Sequence, residues 1–209
     1  MSQSKVKRVS MGKKFLLGLA LLAGLIFVLV FAMPYILMDQ EKIGRFIGRE
    51  FWIVTHVGMG IVALLVGPVQ FWLGWTGKFV SHKKVGLVYL IAILLSSISS
   101  FYLAVTTEVS WVFGLGLGGL GVAWVLTTGV AFLVIRKGKI ELHREWMTRS
   151  YVVTMGFVFF RLFVGVTSAL QVGTLFQRLE AASWFCWAFP LLIAEIIIQR
   201  KKIFSPSNA

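Results

Sequence analysis

Apolar residues fall into six long runs, cut by short polar segments at residues 39–50, 76–84, 106–110, 136–149 and 171–180. The runs, 15–38, 51–75, 85–105, 111–135, 150–170 and 181–199, are each close to the ~20 residues a helix needs to cross a bilayer core. They predict an all-α, polytopic membrane helical bundle with six transmembrane helices. Residues 1–14 form a basic head and residues 200–209 a polar tail. The first run is too long for a signal h-region and lacks a small-x-small cleavage site, so a retained anchor is expected. No soluble domain and no internal repeat stand out.

Several positions modulate this pattern. Pro34 lies near the end of the first run, where a lost backbone hydrogen bond costs least. Gly67-Pro68 predicts a kink in the second helix, with the freed carbonyl satisfied inside the bundle. The third run carries Ser96, Ser97, Ser99 and Ser100. The spacing of Gly114 and Gly118 puts two bare patches on one face of the fourth helix, where a neighbouring backbone can approach. A phosphate cradle is excluded there, because no GKS/T follows and the segment is apolar. Ser150 is expected to cap the fifth helix.

Composition sharpens the class. The 209-residue chain is 58% hydrophobic and 14% charged, more apolar surface than a soluble domain of this size can hide. Its formal net charge is +13, but no nucleic-acid module accompanies it, so no nucleic-acid partner is expected. The basic residues instead sort by side. The head, the 76–84 and 136–149 segments and the tail carry five, three, five and three, against four in the remaining segments. Both termini are therefore expected to be cytoplasmic, in a bacterial inner membrane. The single cysteine, Cys186, excludes an internal disulfide and a CxxC site.

Chemistry is confined to few residues. The block His143-Arg144-Glu145-Trp146-Met147-Thr148-Arg149-Ser150-Tyr151 is the densest polar stretch inside the apolar chain. His82 and His143 are expected at the cytoplasmic face, each shortly before a span. They can face one b-type haem iron, or share a transition metal with Met147 or Glu145. The plain alternative is that each tips a helix at headgroup level. His56, within the second span, is either a functional group or a neutral imidazole bonded to a neighbouring helix. Arg161 lies about eleven residues into the fifth span, where a guanidinium costs about 2.5–3.5 kcal/mol on insertion scales. It needs a carboxylate, carbonyls or an anionic ligand such as a quinone head or a haem propionate. The few acids available are Glu108, near the outer face, and Glu195, near the inner one, neither at its depth, with Gln70, Tyr102 and the serines as neutral alternatives. Arg149, Arg144 and Lys139 can meet anionic lipid, worth about 1 kcal/mol each. No nucleophile elbow, zinc helix or paired carboxylate is present.

Six ordered blocks carry a resemblance. They are His56-x-x-x-Gly60; Ala63-Leu64-Leu65-x-Gly67-Pro68-x-Gln70-Phe71; His82-Lys83-x-x-Gly86-x-x-Tyr89; Trp124-x-x-Thr127-Thr128; the His143–Tyr151 block; and Arg161-Leu162. Together, over about residues 50–165, they resemble a family of bacterial multi-span membrane proteins known only as a domain of unknown function. The resemblance implies a polytopic fold and singles out His56, Gln70, His82, His143, Arg149 and Arg161. It implies no activity. A fainter likeness is to transmembrane cytochrome b families, from which the chain departs by offering three histidines, two of them at helix mouths.

Two functional classes follow. One is a redox-linked or ligand-binding protein with a haem or quinone among spans two to five, using His82 and His143 as axial ligands, His56 and Gln70 as ligand contacts, and Arg149 and Arg161 as cofactor-binding cations. The other is a non-catalytic assembly factor or accessory subunit of another membrane complex, in which the same groups knit helices together. A transporter is weaker, for want of an inverted repeat.

Overall fold

The structure, a computed structural model, describes residues 9–204. The described residues form helices and turns, without strands. Six helical stretches are long and apolar enough to cross a membrane: Met11–Ile36, Glu50–Trp75, Phe79–Val105, Trp111–Arg136, Ile140–Ala169 and Leu175–Phe204. Their outer faces are apolar; Leu29, Leu126 and Ile196 are 69%, 58% and 58% exposed. Hydrocarbon is the solvent in which such a surface is stable.

The first stretch comprises α1 (Met11–Phe27), a π turn (Val28–Ala32) and α2 (Met33–Ile36). Pro34 explains the turn. Its ring would strike the carbonyl of Val30 in a regular helix. The Met33 amide instead reaches the Val28 carbonyl, five residues back, which widens the turn. The 39–50 segment is partly ordered as α3 (Gln40–Ile43) and a 3-10 turn, with Asp39 accepting from the Lys42 amide at 3.2 Å. α4 (Glu50–Trp75) and α5 (Phe79–Val105) follow. α4 stays helical through Pro68.

The chain divides into two compact units, Met1–Ser99 and Ser100–Ala209. In the first, α1 packs on α4, where a Cβ at Gly24 would touch Leu64 at 3.4 Å. Lys13 lies 5.0 Å over the Trp75 ring. The turn from α4 into α5 closes at Gly77, whose φ of +73° suits glycine. The Lys78 amide donates to the Leu73 carbonyl at 3.0 Å, ending α4 in a Schellman arrangement.

The second unit holds α6 (Trp111–Arg136), α7 (Ile140–Thr154), α8 (Gly156–Ala169) and α9 (Leu175–Phe204). Ser110 caps α6, accepting from the Phe113 amide at 3.2 Å. The glycine run of α6 serves close packing, at Gly114 as expected but not at Gly118. A Cβ at Gly114 would come 2.6 Å from the Ala104 carbonyl oxygen and one at Gly119 3.0 Å from Trp187, whereas Gly118 meets nothing within 4 Å. The face that counts is Gly116 and Gly119, one turn apart and turned to α9.

Three expected loops are shorter than the polarity of the sequence suggested. Helix begins at Phe79, Ile140 and Leu175, inside the segments 76–84, 136–149 and 171–180. In the 136–149 segment the reason is periodicity. Met147, Ser150, Tyr151 and Thr154 recur at three- and four-residue steps and are all buried, so the charged residues fall on other faces of the helix, Arg149 among them buried as well. Ser150 is therefore an interior residue of α7 rather than a cap; its Oγ lies 2.7 Å from Thr128 Oγ1. A single non-helical residue, Met155, separates α7 from α8.

Candidate functional site

In the first unit, α4 and α5 form a hairpin whose polar residues interlock. His82 Nδ1 lies 3.0 Å from the Gln70 carbonyl oxygen. A carbonyl only accepts, so Nδ1 carries the proton and Nε2 is the acceptor. The Gln70 side-chain amide donates to that Nε2 at 3.3 Å. One residue thus engages both ring nitrogens. The glycines of the hairpin make this fit: a Cβ at Gly86 would fall 2.6 Å from Gln70 Nε2, and one at Gly74 3.2 Å from His82 Cε1. Gln70 lies over the glycine of α5, and His82 over the glycine of α4. Deeper in the hairpin, His56 Nδ1 sits 3.1 Å from both the carbonyl oxygen and the Oγ of Ser96, whose hydroxyl donates to the His56 carbonyl at 2.9 Å. Gln70→Leu should therefore remove a hydrogen bond to a half-buried imidazole, at about 1 kcal/mol. Thermal unfolding in detergent checks this, with the loss expected to be non-additive with His82→Ala.

In the second unit, two of the sequence blocks meet. Trp124 donates to Thr154 Oγ1 at 2.8 Å, Thr128 bonds Ser150, and His143 Nδ1 lies 2.9 Å from the Ala131 carbonyl oxygen. These contacts fix α7 on α6. The other side of α7 carries the charges. Arg149 is buried, with Nε and Nη2 each 2.7 Å from Glu195 Oε2 on α9. Its guanidinium stacks 4.6 Å from the Trp146 ring. Gln199 donates to Glu195 Oε1 at 2.6 Å. Glu145 Oε2 is 3.8 Å from Arg149 Nη1 and 2.7 Å from Lys202 Nζ. Arg149 Nη1 makes no hydrogen bond, nor does the buried Gln70 Oε1.

Arg161 sits eight residues before the end of α8 at Ala169, about 12 Å along the helix. Its guanidinium is 5.8 Å from the Phe160 ring. Glu195, one of the few acids the sequence offered to Arg161, pairs with Arg149.

Between α7, α8 and α9 lies a groove of about 1300 Å³, larger than the roughly 300–1,000 Å³ of ordinary ligand sites. Its body is apolar and aromatic, including Phe159, Phe163 and Val166 of α8 with Phe185, Phe189 and Ile193 of α9. Phe185 stacks on Phe189 at 4.8 Å and lies 4.9 Å from Phe163. Its rim is Glu141, Arg144 and Glu145 of α7 with Lys202 of α9. The Phe residues were not singled out by sequence, although Phe185 and Phe189 stand four apart, a spacing that pairs aromatics on one helix face. Lys202 and Glu195 gave no local signal, because their partners are 57 and 46 residues away.

Among the described residues, no group of three or more His, Cys, Asp or Glu side chains gathers as a metal site. No curated protein and no solved structure matches the chain. A family model described as predicted membrane protein (DUF2306) matches residues 53–198, from the first turn of α4 to the last turns of α9, and the chain belongs to that family.

Proposed function

We propose that this protein binds a long-chain amphiphile of the membrane in the groove between α7, α8 and α9. The observation that carries the reading is the polarity of that groove: hydrocarbon and aromatic walls, with its charged side chains gathered at one end. From Phe185 to Lys202 the α9 wall runs about 26 Å at 1.5 Å per residue, a length that one acyl or prenyl chain with its head group fills. Both the quinone expected from sequence and an ordinary lipid satisfy the body of the groove. The asymmetry of basic residues supports cytoplasmic termini in a bacterial inner membrane, which sets the rim at the cytoplasmic leaflet.

Haem draws less support. His82 would have to release the Gln70 amide to ligate iron, and an absorption spectrum without a Soret band would remove haem altogether. The accessory-subunit reading is favoured by the same clasp, since Gln70 and His82 there hold a hairpin together. It predicts co-purification with another membrane complex.

Mass spectrometry of the detergent-purified protein tests the amphiphile. Wild type should retain about one equivalent. Val166→Trp and Ile193→Trp, both on the groove wall, should lose most of it, because a bulky side chain there takes the ligand's volume. Leu192→Trp, exposed and off the groove, should not. Equal retention in all four proteins would refute the site.

A further inference from the structure

The rim is balanced in charge. Arg144 Nη1 pairs with Glu141 at 2.5 Å and Lys202 with Glu145 at 2.7 Å, two bases against two acids. The first pair is accessible, its Arg144 and Glu141 side chains 58% and 80% exposed; in the second Lys202 is 45% exposed and Glu145 22%. Exposed ion pairs of this kind contribute little and are readily exchanged. In the Arg149–Glu195 pair behind them the guanidinium is buried and the carboxylate 39% exposed, and losing either partner would leave the buried Arg149 or its carboxylate poorly matched. The rim therefore offers two exchangeable cations and two exchangeable carboxylates over a fixed base.

Only some head groups use all four. An anionic head engages Arg144 and Lys202 but strands Glu141 and Glu145. A quinone carbonyl accepts from one cation and gives the carboxylates nothing. A choline head brings positive charge without N–H donors, which carboxylates need for a charge-assisted hydrogen bond. A phosphate joined to a primary ammonium answers every group.

Resting on the groove reading above, we propose that the resident amphiphile is a zwitterionic glycerophospholipid with a primary-amine head of the ethanolamine type. Its phosphate takes Arg144 and Lys202, its ammonium takes Glu141 and Glu145, and an acyl chain lies along Phe163, Phe185 and Phe189.

Native mass spectrometry of the full-length protein, with phosphatidylethanolamine, phosphatidylcholine and phosphatidylglycerol of identical acyl chains and a prenyl quinone as competitors, tests this. Phosphatidylethanolamine should be retained about fivefold over each of the others. Glu141→Gln, at an exposed position that cannot unfold the chain, and Glu145→Gln should erase the preference while total lipid bound stays unchanged. Ile193→Trp should lower binding of every species. Preference for phosphatidylglycerol, or for the quinone, would overturn the head-group assignment and leave the groove reading standing. Weak binding of all four, indifferent to Ile193→Trp, would overturn both.

Discussion

Arg149→Met is expected to destabilise the detergent-solubilised protein by about 2–3 kcal/mol, the scale of charge-assisted hydrogen bonds to a half-exposed carboxylate. The substitution leaves Glu195, a carboxylate on an apolar helix, with the Gln199 amide at 2.6 Å and the more distant charge of Lys202. It also removes the guanidinium stacked on Trp146 and the tie between α7 and α9. Most of the loss is the cost of stranding the remaining charge rather than the net value of the pair. The double substitution Arg149→Met, Glu195→Leu should accordingly recover most of the stability, since an apolar pair of similar volume needs no counter-charge. Equilibrium unfolding of the two single variants and the double variant measures this directly. If the double variant were as unstable as the sum of the two singles, the pair would not be coupled as the geometry requires.

Gly116→Val should cost about 3 kcal/mol or more by overpacking. Any Cβ at Gly116 overlaps Ser183 Oγ and comes 3.0 Å from the Ser183 carbonyl carbon. Backbone cannot give way as a side-chain tip can. The same approach lets Trp187 donate to the Gly116 carbonyl at 3.2 Å, a bond the variant would also lose. Gly118→Val, one turn-fragment away and facing open space, should be nearly neutral. Small residues take the place of hydrophobic driving force at helix contacts in lipid, so this pair separates packing from mere helix propensity. Thermal stability by tryptophan fluorescence gives the readout. Equal loss in both variants would contradict the α6–α9 contact.

The six membrane-crossing helices were legible because hydropathy over a bilayer-length window is a strong signal. Their ends were less so. Residues 140–149 are rich in charge and read as a loop, yet they are helical, because helix periodicity continues where hydropathy stops. Ser150 was misread as a cap for the same reason. In the glycine run of α6 the spacing of Gly114 and Gly118 gave the right contact at Gly114 and a wrong one at Gly118, and it missed Gly116 and Gly119, since which face meets α9 depends on a partner far along the chain. Among the candidate residues, Gln70 and His82 proved to be one unit twelve residues apart across a hairpin. That proximity follows from a tight turn at Gly77 and was within reach of sequence reasoning. The partnership of Arg149 with Glu195 was not, because nothing local links residues 46 apart. The groove was invisible to sequence for a simpler reason: its walls are ordinary apolar side chains, and only their placement around an empty space distinguishes them from lipid-facing ones.

The most direct test of the groove is photolabelling in a membrane. The reconstituted protein would be irradiated with a phosphatidylethanolamine bearing a diazirine in its acyl chain, and the labelled peptides mapped. The account predicts label concentrated on α8 and α9 around Phe163, Phe185 and Phe189, competed by unlabelled lipid and lost in Ile193→Trp. Label spread evenly over the apolar exterior, with α1 and α6 as heavily marked as the groove and no competition, would contradict it.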